Sequence, residues 1–287
     1  MKLVNFKLGD EVRLGVKVET GIVDVKKAAA SLALDVPATM EEVMAGGKEG
    51  LARLAELLNH EVEVVPEREI VFAPCVTNPE KILCVGLNYL DHAKELNAPI
   101  PDTPVLFSKC NNALAAHNQV IKLPATAEKF DYEAELVIVI GREARRISEE
   151  EAPAYIFGYT AGNDLTARDL QFRTHQWLLG KTCDGFAPTG PYLVTADEIN
   201  PGNLRISCEV NGVVRQDSNT GNLIFDCAGI VSYVSQYMTL KPGDLIFTGT
   251  PGGVMSGYPP EKQQWLKPGD EVKVTIEKIG TLVNIMG

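Results

Sequence analysis

The run Asp131-Tyr132-Glu133-Ala134-Glu135-Leu136-Val137-Ile138-Val139-Ile140 constrains this chain more than any other segment. Its apolar, β-branched second half reads as a strand buried in a core. Side chains alternate faces along a strand, so Glu133 and Glu135 point the same way, about 7 Å apart. Two like charges at the mouth of a core strand repel and lose hydration unless a cation sits between them. Asp164 follows a second apolar run, Tyr155 to Gly162, and precedes Thr166-Ala167-Arg168-Asp169-Leu170-Gln171, which reads as the start of a helix. Oxygen ligands at strand ends suit a hard divalent ion such as Mg²⁺ or Mn²⁺. The same residues also fit a plainer arrangement, a solvated strand end with Asp164 as a helix N-cap.

The chain has 287 residues, enough for one large domain or a large domain with a small appendage. A net charge of −11 without a Lys/Arg-rich block argues against a nucleic-acid partner. No apolar stretch is long enough to span a bilayer, and residues 1–7 lack the apolar core of a signal peptide, so neither a membrane nor secretion is expected. The cysteines at 75, 84, 110, 183, 208 and 227 include no Cys-x-x-Cys pair, which removes zinc-ribbon and thioredoxin readings. Free thiols in a reducing cytoplasm are the expectation.

Residues 1–72 read as a small N-terminal α/β unit, and 73–287 as the main unit. In the first, short strands at 14–18 and 21–25 precede helical segments at 40–44 and 48–58. In the second, strands are expected at 82–85, 105–108, 136–140, 156–161, 192–195, 204–210, 244–248 and 271–276, with few and short helices. The fold class is therefore α+β and mainly β, not a doubly wound α/β sheet. Leu-Lys-Pro-Gly-Asp occurs at 240–244 and again at 266–270, ahead of a strand each time. Pro-Gly is the favoured centre of a type II turn, which explains the repeat without a duplicated domain.

Two more constellations carry chemistry. In the run from Gly86 to Leu96, Asn88 is placed to cap a short helix, and His92 and Glu95 share one face of it. A histidine beside a carboxylate is a common water-activating base, although such a pair also decorates exposed helices. The irregular stretch 97–104 would let that helix move as a lid. Asp164, Arg168 and Gln171 fall at helical spacing. Lys181 stands in an apolar-flanked turn, where it is costly unless it meets an anion, or else is an exposed loop lysine. The loop Thr248-Gly249-Thr250-Pro251-Gly252-Gly253 lacks the Gly-Lys-Ser/Thr ending of a P-loop, which disfavours nucleotide binding. His60, His117, His175 and Cys183 have no partner spacing and read as structural.

Taken in order, these motifs resemble the fumarylacetoacetate hydrolase family from about Lys81 to the C-terminus. The motifs are Gly-x-Asn-Tyr-x-x-His-x-x-Glu, Asp-Tyr-Glu-x-Glu-Leu, Asn-Asp-Leu-Thr-Ala-Arg-Asp-x-Gln, Leu-x-Lys-Thr and Thr-Gly-Thr-Pro-x-Gly-Val. The resemblance implies one Mg²⁺ or Mn²⁺ per subunit on Glu133, Glu135 and Asp164, and a catalytic dyad at His92 and Glu95 with Lys181. It places substrate contacts at Arg168, Gln171 and Thr250, and implies a mixed β-sandwich roll, a homodimer, and a small 2-oxo acid as substrate. No counterpart of the fourth carboxylate ligand of the large eukaryotic members precedes His92, which resembles the smaller, three-ligand branch.

The stretch Gln176 to Thr182 is most similar to the fumarylacetoacetate hydrolase domain-containing 2 type, a subgroup associated with oxaloacetate tautomerisation. Within the family, a divalent ion chelating a 2-oxo acid stabilises an enolate at C3. That one chemistry serves C–C hydrolysis of an acylpyruvate or fumarylpyruvate, tautomerisation or isomerisation, and decarboxylation. The intact His92–Glu95 pair tilts the expectation toward hydrolysis, with tautomerisation as the alternative.

Overall fold

The computed structural model describes residues 1–95 and 99–287, without the side chains of 92–94. Among the described residues the main path of the larger sheet runs Gly21–Asp24, Glu11–Val18, Lys2–Leu8, Ala187–Thr195, Ile156–Asn163, Ala134–Ile140, Leu245–Phe247, Ile82–Gly86 and Val105–Lys109. A second sheet has the order Val213–Asn219, Arg205–Val210, Glu271–Ile276, Gly280–Met286 and Val120–Ile121. The architecture is mainly β, as the sequence implies, with mixed sheets and helices that are mostly short.

The second sheet covers one face of the first. Leu136 and Ile138 share a core there with Ile206, Val274 and Leu282. On the opposite face Val137, Val139 and Phe247 share a core with Met40, Val43 and Leu54. These last three belong to the helix Met40–Leu57, which joins both expected helical segments across a kink at Gly47. Its start is fixed by a capping box, in which Thr39 Oγ1 accepts from Glu42 N–H and Glu42 Oε2 accepts from Thr39 N–H. The strand Ala134–Ile140 is thus buried on both faces, the physical reason for its unbroken apolar run.

Both Leu-Lys-Pro-Gly-Asp segments are tight turns. Gly243 and Gly269 take φ of 87° and 94°, a region open to glycine, and the following Asp N–H donates to the Lys carbonyl three residues back. Among the described residues, besides five strands of two or three residues, three longer ones lie outside the sequence expectation: Lys2–Leu8, Val213–Asn219 and Gly280–Met286. The first pairs with Ala187–Thr195, so the N-terminal strands extend the sheet of the main unit. No helix among the described residues is long and apolar enough to cross a membrane.

Candidate active site

Chain pairing brings the three acids together. Ala134 lies opposite Asn163 in the antiparallel pair, and just beyond that register the Asp164 N–H donates to the Glu133 carbonyl at 2.9 Å. One oxygen from each of Glu133, Glu135 and Asp164 lies within 4.8 Å of the others, and all three residues are buried. Asp164 lies just past the end of the strand Ile156–Asn163 and ahead of the extended pair Thr166–Ala167, so only Arg168–Gln171 is helical. The helical-spacing argument for Asp164 is corrected, although Asp164, Arg168 and Gln171 do converge.

Cations fill the space around the acids. Arg168 donates from Nε to Asp131 at 2.8 Å, from Nη2 to Glu133 at 2.6 Å and from Nη1 to Gln171 at 3.0 Å. Lys181 Nζ lies 2.6 Å from Glu133 Oε2 and 2.8 Å from Asp164 Oδ2. It sits at the end of the short helix Leu178–Lys181, not in an open turn. Gly180 makes that placement possible, since a Cβ there would stand 2.5 Å from both the Ala167 carbonyl and the Gln171 nitrogen. Lys181 also lies 5.0 Å from the centroid of Phe107, whose ring meets Trp177 edge-on.

Three residues that sequence reasoning did not single out complete the network. Lys109 Nζ is 2.5 Å from Asp164 Oδ1 and donates to the carbonyls of Leu165, Lys181 and Phe186. Asp131 accepts from Arg168. Gln216, reaching in from the second sheet, donates to Thr250 Oγ1 and the Pro251 carbonyl and accepts from Ala134 N–H. The Thr250 hydroxyl donates to the Ala134 carbonyl, which fixes the loop beside the acids. The only sequence signal for Lys109 was a lysine closing an apolar strand.

The charges are unequally shared. Burial pushes the Glu133 carboxyl up, but Lys181 and Arg168 outweigh it and hold it at about 2. Burial pushes the Lys181 ammonium down, but Asp164 and Glu133 outweigh it and keep the pKa above its ordinary value. Glu135 differs. Burial, then Asp164 and Glu133, push its carboxyl well above the usual range, against the opposing pull of Lys181 and a 2.7 Å hydrogen bond from Gly249 N–H. Among the described residues it has no ion pair of its own. Three oxygen donors with one carboxylate short of a cation fit a hard divalent ion.

This arrangement fixes the sign of a pH effect. Glu135 must lose its proton to serve as a ligand, so divalent affinity is expected to fall as pH drops through its raised pKa. Calorimetric titrations with Mg²⁺ in two buffers of different ionisation enthalpy should report proton release. Equal heats in both would contradict it.

A cavity of about 220 Å³ opens onto Glu133, Glu135, Arg168 and Lys181, with Phe107 and Trp177 on its apolar side. A larger groove of about 1110 Å³, beside the Gly47 kink, holds none of the acids. Gln171 and Thr250 also line the smaller cavity. Glu95 ends the helix Leu90–Glu95, and both its oxygens accept from Gly253 N–H. The His92 side chain and residues 96–98, on which the expected dyad and lid partly depend, lie outside the described residues. Asn88 is not a helix cap. Its amide donates to the carbonyls of Phe225 and Thr248 and accepts from Phe225 N–H. His117 is structural as read, accepting from Val283 N–H against Phe72.

The family model described as fumarylacetoacetate (FAA) hydrolase, C-terminal, matches residues 81–286. Over 99% of its length the chain is 40% identical to 91% of a Rattus norvegicus protein named oxaloacetate tautomerase Fahd2a, mitochondrial. It superposes at a TM-score of 0.82 on the fumarylacetoacetate hydrolase of Exiguobacterium antarcticum, with 33% identity over 100% of this chain and 99% of that one. A 2-hydroxyhepta-2,4-diene-1,7-dioate isomerase from Mycobacterium marinum gives 0.77, with 32% identity over 100% and 98%.

Proposed function

The chain belongs to the fumarylacetoacetate hydrolase family, and on that premise we propose that it interconverts the enol and keto forms of a small 2-oxo diacid of the oxaloacetate class. The observation that carries this choice among the family's reactions is the full-length likeness to an oxaloacetate tautomerase. The small cavity, charged on one side and aromatic on the other, supports it.

The residues divide the work. A divalent ion held by Glu133, Glu135 and Asp164 would supply Lewis acidity, worth several kcal/mol, against negative charge developing on a 2-oxo acid. Lys181, kept protonated by its acidic neighbours, is a donor to an oxygen that gains charge and not a base. Arg168 is locked by Asp131 and Gln171, so it presents positive charge in one orientation to a substrate carboxylate. Gln171 and Thr250 line the same cavity and bound the substrate there. Glu95, with His92, is the group assigned to move the C3 proton. Phe107 and Trp177 keep water from that side.

The expected result is rapid loss of enol-oxaloacetate with stereospecific entry of solvent deuterium at C3 and no cleavage. Hydrolysis of an acylpyruvate, favoured from sequence, now stands second. It retains support from the His92–Glu95 motif of the sequence and from the hydrolase fold neighbour. Fast acylpyruvate cleavage in H₂¹⁸O, with label in the released acid and no acceleration of ketonisation, would reverse that order.

A further inference from the structure

The loop after Leu245–Phe247 is shaped around one carboxylate. Gly253 N–H donates to Glu95 Oε1 at 3.1 Å and to Oε2 at 3.2 Å. A Cβ at Gly257 would stand 2.4 Å from Glu95 Cδ and 2.6 Å from Oε1. A Cβ at Gly252 would stand 3.5 Å from Oε2, an ordinary contact. The Glu95 carboxylate therefore lies in a slot walled by backbone, and the first side-chain atom at 257 would fill it. Gly257 closes the short turn Met255–Gly257 and its φ is not in the left-handed region, so alanine is compatible with the backbone there. The three atoms nearest such a Cβ, Cδ, Oε1 and Cγ, all belong to the flexible Glu95 side chain.

The slot is fastened to the substrate side of the site. Met255 N–H and Ser256 N–H donate to the two oxygens of Asp131 at 2.8 and 2.9 Å, and Oδ2 of the same carboxylate takes Arg168 Nε at 2.8 Å. The Tyr132 hydroxyl adds a bond to the Gly253 carbonyl at 3.0 Å. At the other end of the Glu95 helix, Ser218 Oγ donates to Asp91 Oδ2 at 2.9 Å.

We propose that Gly257 and Asp131 are positioning residues for the reaction, Gly257 by keeping open the seat that aims the Glu95 carboxylate, and Asp131 by holding that seat and Arg168 in one frame. The proposal rests on the reading of Glu95 as a proton-transfer group. A plain turn glycine at 257 would affect folding and spare the chemistry. The two are separated by whether Gly257 acts through Glu95.

The test is steady-state kinetics on the full chain with Mg²⁺, using enol-oxaloacetate and an acylpyruvate, for Gly257→Ala, Glu95→Gln and the double variant. Misplacing a reacting group by about 1 Å costs about 10²-fold. Gly257→Ala is expected to lower kcat by about that factor, with KM and the melting temperature nearly unchanged. The double variant should be no slower than Glu95→Gln, because the seat has nothing left to aim. Gly252→Ala is the control and should stay near wild type. Asp131→Asn should raise KM through Arg168 and lower kcat through the seat together. A slow Glu95→Gln beside an unimpaired Gly257→Ala overturns the seat alone, as does a double variant in which the two losses multiply. Full rate in Glu95→Gln overturns the role of Glu95 itself, and the seat's part in the chemistry with it. A change confined to KM in Asp131→Asn removes Asp131 from the seat.

Discussion

Glu135→Gln is expected to abolish divalent-ion binding and lower turnover by about 10³-fold, while raising the melting temperature of the metal-free protein. The activity loss follows from removing one of the three oxygen donors proposed to hold the ion, with Lewis-acid stabilisation worth several kcal/mol at about 1.4 kcal/mol per decade of rate. The stability gain follows from the sign of the Glu135 shift. A carboxyl whose folded pKa is raised contributes its stability below the unfolded pKa of about 4.3, and that contribution is lost as pH rises through the folded value. Glutamine stays neutral throughout and can still accept from Gly249 N–H. Glu133 has the opposite sign. Its contribution is present above the unfolded pKa and is lost as pH falls toward about 2. Thermal melts at neutral pH, with chelator and with Mg²⁺, give the comparison. Retained Mg²⁺ affinity, or a chelated variant that melts below the chelated wild type, would contradict it.

Lys109→Met is expected to cost about 3–5 kcal/mol of stability, the usual penalty for removing one partner of a buried ion pair. Lys109 has no exposed side-chain surface and lies 2.5 Å from Asp164 Oδ1, so methionine leaves a buried carboxylate with one cation fewer. The same ammonium ties together the carbonyls of Leu165, Lys181 and Phe186, which come from separate segments. The melting temperature should drop on the order of 10 °C. Lys241, in an exposed pair with Glu143, is the control whose substitution should leave melting unchanged. Denaturant titrations that place both variants at the wild-type midpoint would count against a structural role for Lys109.

What the sequence disclosed depended on whether a residue's partners were near in the chain. Glu133 and Glu135 were legible because a two-residue period puts them on one face, and the apolar run after them marks the strand. Asp164 was found for the right neighbourhood and a wrong local reason, since extended Thr166–Ala167 interrupts the supposed helix. Lys109 and Gln216 were not legible. Lys109 meets Asp164 and Lys181, 55 and 72 positions away in number, through sheet pairing that no local pattern encodes. Gln216 lies on Val213–Asn219, whose polar sequence suits a strand at the border of a sheet and shows no clean alternation. Asn88 looked like a cap because its sequence context fits one. The carbonyls that claim its amide lie at 225 and 248.

The pairing of Lys2 with Val194 and Leu3 with Leu193 also sets a clock. The strand Lys2–Leu8 must wait for a partner synthesised about 190 residues later. At about 5–20 residues per second, that interval is about 10–40 s. During it, Lys2–Leu8 has the hairpin strand Glu11–Val18 on one side, while on the other Val71–Phe72 takes Phe6 and Lys7 and leaves the backbone of Lys2 and Leu3 without its strand partner. A nascent chain of this protein therefore carries a short stretch of open strand edge, at Lys2 and Leu3, until Ala187–Thr195 arrives.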